Sequence, residues 1–387
     1  MSNARSPDTE VAFRLREVLA TAVDTKRIAG GEVIVALKGE IIAHEVFGYS
    51  NLGRSVPMAI GERFRLASVT KPIVSLAAIK LVADGELSLH EPITRWLPYF
   101  RPSLAGGSVP PITLHHLLTH TSGLSYGFQE PPGGEYDELG ISDGLNCSGL
   151  SLEDNLRRLS AANLKFEPGS AWRYSLALDV TGAIIEKVTG IALPKAVEEL
   201  VSRPLGLRSF DFNVPEETSL AVAYVDSSGT LQEMGDKAEV VPPDGVNAIR
   251  FSPRRAFAQR EFPSGGAGMV GTGMDVLSVL EVLRKDGVGF IGEDWARMMV
   301  QPHVDAELRG QGDGWGFGYM GAVLMDPTVM KTPQHPGTVE WGGVYGHNWF
   351  IDGAAGISVV SLTNTTWEGV GGCFPQKVRD AVYLGVA

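Results

Sequence analysis

The sequence predicts an α+β fold: a sheet lobe built from both ends of the chain, with a mainly helical lobe inserted between them. Three observations predict it. Apolar runs of strand type lie near the N-terminus and again near the C-terminus. Helical periodicities fill the stretch between them. Runs of strands set apart from runs of helices point to an α+β or mixed-sheet arrangement. The expected division is a discontinuous α/β lobe, residues 1–90 and 263–387, around a mainly helical lobe, residues 91–262. At 387 residues the chain has length for both, since single cores rarely grow past roughly 250–300 residues.

The elements follow in order. Ser6-Pro7 opens a helix with a cap residue and a proline at the first helical position. Val11, Leu15, Val18, Leu19 and Ala22 recur at helical spacing. Val33–Leu37 and Ile41–Val46 flank Lys38-Gly39-Glu40 and read as a β-hairpin. From Ser68 to Ala83 the chain is nearly all apolar or small and stops at Asp84-Gly85, which reads as a buried helix. Thr113 caps a short helix through Leu118. Residues 126–150 are rich in Gly, Pro and Asp and read as a long loop. Ser151-Leu152-Glu153-Asp154 resembles a capping box with Asp in place of Glu. Pro168-Gly169 makes a turn, and Leu178–Val188 reads as a helix. Residues 214–262 carry weak periodicity and receive no element. Met274–Arg284 is an expected helix. Thr338–Trp341, Trp349–Ile351 and Ile357–Leu362 are expected strands, and a last helix runs from about Pro375 to Tyr383.

Composition removes several classes. With 33 basic and 45 acidic residues the net charge is −12, which repels phosphate backbones and excludes nucleic-acid binding. No run of 18 apolar residues offers a membrane span. Cys147 and Cys373 make no C-x-x-C or metal-ligand spacing and fit a reducing compartment. The N-terminus shows no basic head followed by an apolar stretch. The expected location is the cytoplasm, with no metal and no organic cofactor. Oligomeric state stays open.

Three constellations carry chemistry. In Ser68-Val69-Thr70-Lys71 an i, i+3 pair shares one helix face, so the hydroxyl and the amine can meet. A serine needs a base, and a lysine serves as one when burial disfavours its charged form. Taken alone, S-x-x-K recurs by chance, as a surface lysine one turn from a cap. In Trp172-Arg173-Tyr174-Ser175-Leu176 the Tyr174 phenol can relay a proton, or can be a half-buried core tyrosine. In Trp341-Gly342-Gly343-Val344-Tyr345-Gly346-His347 the glycines let a substrate lie against the backbone, or mark a bulge. A backbone N–H there can face that of Ser68 and form an oxyanion hole. Two decoys are set aside. Gly123-Leu124-Ser125-Tyr126-Gly127 matches G-x-S-x-G, but a nucleophile elbow needs a strand before and a helix after. His120 and His347 suggest a Ser-His-Asp triad, yet without an elbow both read as structural.

Together these residues resemble the serine β-lactamase and penicillin-binding-protein superfamily, class C-like, and most closely family VIII carboxylesterases. Leu117–Leu124 and Ser264-Gly265-Gly266-Ala267-Gly268-Met269 extend the resemblance over roughly residues 10–385. The resemblance implies an antiparallel sheet flanked by helices, with an inserted mainly helical lobe and the active site in the cleft between them. It implies that Ser68 attacks a carbonyl, that Lys71 and Tyr174 share the acid and base work, and that the N–H groups of Ser68 and Val344 hold the oxyanion. Tyr126 and Asp179 match positions that line or support the pocket, beside Trp341, Gly342 and Gly343. Two departures decide the substrate. The lactamase Tyr-x-Asn reads Tyr174-Ser175-Leu176, and Lys-Thr-Gly reads Trp341-Gly342-Gly343. The cation and hydroxyl that grip a carboxylate are gone, a loss of about 1.5–3 kcal/mol per group for an anionic substrate. An indole favours neutral, apolar groups instead. The expected partner is a small-molecule ester, short-chain or bulky and neutral. The alternatives are a β-lactamase or D-Ala peptidase, an acyltransferase using the same acyl-enzyme, and a non-catalytic binding protein.

Overall fold

An eight-stranded antiparallel sheet forms the spine of the molecule. The computed structural model describes residues 6–386 apart from 228, 244 and 310–313. The first five residues, read above for a leader, lie outside the described residues. From the N-terminal end come β1 (Gly30–Leu37), β2 (Glu40–Asn51) and β3 (Val56–Pro57). From the C-terminal end come β4 (Trp315–Phe317), β5 (Ala322–Leu324), β6 (Val339–Gly343), β7 (His347–Asp352) and β8 (Ile357–Thr363). The order is β4-β5-β6-β7-β8-β1-β2-β3, so β1 and β8 join the two ends of the chain.

β1 shows why the sheet is central. Its side chains alternate: Val33 and Val35 enter one apolar cluster, Ile34 and Ala36 another. The first cluster is completed by α1 (Pro7–Asp24) and the last helix, α8 (Cys373–Val386). The second runs through α2 (Thr70–Ala83) and takes in α3 (Leu114–Leu118), α4 (Leu152–Ala161) and α5 (Ala177–Thr189). It also takes in α6 (Gly273–Arg284) and α7 (Glu293–Val300). One core therefore draws on both parts of the chain.

The elements differ from the sequence expectation mostly at their ends. β2 runs on to Asn51, and α5 spans Ala177–Thr189. The 126–150 loop holds two short helical turns, Gly127–Gln129 and Glu135–Glu138. Residues 214–262 contain two small sheets, Tyr224–Ser227 with Thr230–Glu233 and Ala238–Val240 with Ile249–Phe251. Strands of three or four residues, half exposed, leave too little alternation to read. β4 and β5, three residues each, with Gly316 inside β4 and Gly318 just after it, escaped for the same reason.

His347 is buried at the start of β7, with its Nε2 against the Arg65 carbonyl at 2.7 Å. Burial pushes its pKa down to about 4, and the hydrogen bond to the Arg65 carbonyl opposes that shift. The folded state therefore holds it neutral, whereas the unfolded chain protonates it near 6.5. Its stabilising contribution is present above pH 6.5 and lost as pH falls from 6.5 towards 4. Across that window the native protein is expected to lose roughly 3 kcal/mol more than His347→Gln. Urea titrations of both proteins at pH 7 and 4.5 check this. Parallel profiles would refute it.

Candidate active site

Ser68 sits in a tight 3₁₀ turn, Ala67–Val69, that runs directly into α2. The turn is strained and clamped. Ala67 has φ 45°, a left-handed conformation that costs a non-glycine residue about 1–2 kcal/mol. On one side the Leu66 N–H donates to the Met269 carbonyl at 2.8 Å. On the other Gly343 packs so close that a Cβ there would lie 2.4 Å from the Leu66 oxygen.

Lys71 follows one helical turn after Ser68, buried because α2 is apolar on every side. Its Nζ lies 3.0 Å from Ser68 Oγ and donates to the Gly266 carbonyl at 2.7 Å. The Tyr174 phenol donates to the same Ser68 Oγ at 2.6 Å. Gln129 Nε2 fixes the Tyr174 carbonyl at 2.7 Å, while His120 and Trp341 pack against its ring with centroids 4.9 and 5.2 Å away. Serine, lysine and tyrosine are thus brought together as the spacing requires.

Asp179 opens α5 and stands behind this trio rather than lining the cavity. Its Oδ1 accepts from Ser264 Oγ at 2.7 Å and from the Gly266 N–H at 3.0 Å. The Gly266 peptide therefore links Asp179 to Lys71. Burial raises the Asp179 pKa, and those two bonds and the Lys71 charge oppose the rise. Tyr126 lies alongside, its ring 5.1 Å from that of Tyr174. Burial, and next the neighbouring Tyr174, hold its phenol protonated well above the ordinary range.

A cavity of about 410 Å³ opens onto Ser68. Of the expected residues, Tyr126, Tyr174, Trp341, Gly342 and Val344 line it; Gly343 and Asp179 do not. Gly343 packs against the Leu66 carbonyl instead. Val344 follows β6, its carbonyl held by Thr366 Oγ1 at 2.9 Å. A wider cleft of about 870 Å³ adjoins and shares Tyr174, Trp341 and Trp367 with the inner cavity.

Sequence reasoning missed Phe128, Asp143, Leu145, Ile249, Trp315 and Trp367, which also line the inner cavity. Asp143 accepts from the N–H groups of Gly127 at 2.7 Å and Phe128 at 3.3 Å. Burial nevertheless pushes its carboxyl up to about 6, against the pull of those two bonds. The Asp143-Gly144 pair was a turn signal only. The decoys resolve as structural. Ser125 is fully buried, and its Oγ accepts from Arg173 Nε at 2.8 Å. His120 pairs with Ser175 Oγ at 3.1 Å. Among the described residues, no three His, Cys, Asp or Glu side chains converge to hold a metal.

Gly265 shows how tightly this region is built. A Cβ there would lie 2.3 Å from the Leu178 carbonyl in α5, a backbone atom that cannot yield. Gly265→Ala is expected to cost about 1–3 kcal/mol. It should also lower kcat, because the adjacent Gly266 carbonyl would leave Lys71. A melting curve with a kcat measurement checks both, and an unchanged kcat would contradict the second.

Comparisons with known proteins give the family and the fold. The Beta-lactamase family model matches residues 15–373. The chain is 50% identical over 374 residues to Esterase EstB of Burkholderia gladioli, covering 96% of this chain and 95% of that protein. Its structure is similar to that of EstCE1, described as a hydrolase with promiscuous acyltransferase activity. The TM-score is 0.95 at 45% identity, over 97% of this chain and 99% of that one. Simvastatin synthase from Aspergillus terreus, at 22% identity, TM-score 0.79 and coverage of 100% and 99%, shares the fold.

Proposed function

The chain belongs to the beta-lactamase family, and we propose that it forms its acyl-enzyme on Ser68, with Lys71 and Tyr174 sharing the proton. Within that family it is a carboxylesterase. One observation carries the assignment of residues: a single Ser68 Oγ is within hydrogen-bond reach of both Lys71 Nζ and Tyr174 OH at the mouth of an aromatic cavity.

The chemistry follows from that contact. Ser68 Oγ bonds to the ester carbonyl carbon while its proton passes to the Lys71–Tyr174 pair. The carbonyl oxygen becomes an oxyanion between the N–H groups of Ser68 and Val344. Collapse breaks the bond to the alcohol oxygen, which leaves with a proton returned by the pair. Water attacks the acyl carbon by the same route and frees the acid and Ser68. Trp341 stands where a lactamase has lysine, so neutral esters are favoured over β-lactams. The setting proposed is cytoplasmic, in keeping with two free cysteines, and neither nucleic acid nor membrane enters the reaction. In this reading residues 91–262 form the helical lobe, residues 1–90 and 263–387 the α/β lobe, and the site occupies the cleft between them.

The test is the ratio of kcat/KM for p-nitrophenyl butyrate to that for a chromogenic cephalosporin, with Ser68→Ala as the blank. A ratio far above one is expected. A ratio near or below one would put the β-lactamase or peptidase reading first. The adjoining cleft favours a second reaction, transfer of the acyl group to an alcohol, because it gives an acceptor room beside Tyr174. Ester products formed in the presence of added alcohol would reveal it.

A further inference from the structure

Resting on the esterase reading, we propose that the cavity prefers esters bearing a positive charge, of the quaternary ammonium type, over neutral esters of the same shape. Three observations lead there. First, Tyr126, Phe128, Tyr174, Trp315, Trp341 and Trp367 all line the inner cavity. Aromatic faces attract cations, and more strongly where water is excluded. Two of these rings already face one: Lys71 Nζ lies 4.6 Å from the Tyr174 centroid and 5.3 Å from that of Tyr126.

Second, the Asp143 carboxylate lines the same cavity and has no ion-pair partner among the described residues. Its hydrogen bonds come from two backbone amides. Buried carboxylates are ordinarily paired with a cation. The nearby Arg250 is committed elsewhere, to Asp137 at 2.9 Å and Glu239 at 3.5 Å. A cationic substrate group would supply the missing partner.

Third, the charged residues that line the cavity are acidic, the Lys71 amine standing behind the Tyr126 and Tyr174 rings. Glu340 is a second acidic lining residue, and no lysine, arginine or histidine lines the cavity among the described residues. Asp179 and Lys71 both lie behind the wall, joined through the Gly266 peptide. Two arginines of the adjoining cleft are neutralised: Arg27 by Glu368 and Asp226, Arg173 by Glu130. The site that lost its grip on anions therefore presents π-faces and a carboxylate to whatever enters. Hydrolysis proceeds unchanged: the ester and water give a carboxylic acid and an amino alcohol that keeps its charge.

The test compares kcat/KM for butyrylcholine with that for 3,3-dimethylbutyl butyrate, in which carbon replaces the ammonium nitrogen. The shapes match and only the charge differs. A preference of about tenfold for butyrylcholine is expected. In Asp143→Asn the ratio should fall towards one. Because the readout is a ratio, a general loss of activity in the variant does not disturb it. Where the variant fails to fold, the wild-type comparison decides alone. Equal rates, or a faster neutral ester, in the wild type overturn the proposal, and so does an unchanged ratio in Asp143→Asn. p-Nitrophenyl butyrate separates the two levels. If it and the neutral ester are hydrolysed without preference for the cation, the esterase reading stands and this inference falls. If no ester is hydrolysed, both fall.

Discussion

Ser68→Ala is expected to lower kcat/KM for p-nitrophenyl butyrate by about 10⁴-fold or more. The variant keeps Lys71 and Tyr174 but removes the one atom both of them reach. What remains is substrate binding and the oxyanion donors, whose backbone amides the substitution does not touch. The melting temperature should stay close to that of the wild type, because Ser68 is only half-buried and its turn is held by the Leu66–Met269 hydrogen bond. Steady-state kinetics with a melting curve as control would decide. Substantial activity in a folded Ser68→Ala protein would remove the acyl-enzyme from the mechanism.

The second large effect is expected at Tyr174. Tyr174→Phe keeps the ring, with its packing against His120 and Trp341, and deletes only the hydroxyl 2.6 Å from Ser68 Oγ. A positioned proton-transfer group is worth about 10²–10⁴ in rate, and the loss should fall on kcat rather than KM. Tyr126→Phe is the control. Tyr126 lies in the same aromatic wall, and its phenol stays protonated, so its loss should change KM more than kcat. If the two variants behave alike, Tyr174 is part of the wall and not of the proton relay.

The Ser68–Lys71 pair of the proposed trio was legible because it is local, whereas Tyr174 comes from 106 residues further on and was found by motif order. Ser68 and Lys71 meet through a helical i, i+3 relation, which any helix guarantees. Trp341-Gly342-Gly343 could be read as a strand with room beside it. The sequence did not say what the room was for: at Gly343 the Leu66 carbonyl fills it. The cavity wall was hidden for another reason. Phe128, Asp143 and Leu145 come from one irregular stretch and Ile249 from another, and they meet Trp315 only through the tertiary fold. No period links residues that a loop delivers. Asp143 was hardest, since Asp-Gly is an ordinary turn signal and its place in the cavity wall is set by the tertiary fold.

The clamps on the Ser68 turn also bear on the order of synthesis. Ser68, Lys71 and Tyr174 have all left the ribosome long before residues 269 and 343 are made. Yet the Leu66 N–H needs the Met269 carbonyl, and the Leu66 oxygen packs against Gly343. β1, just upstream of the serine, pairs with β8, which ends at Thr363. A nascent chain therefore carries its reactive hydroxyl for most of translation without the frame that aims it. Arming waits for the last strands, so truncated products released early are expected to be inert as esterases.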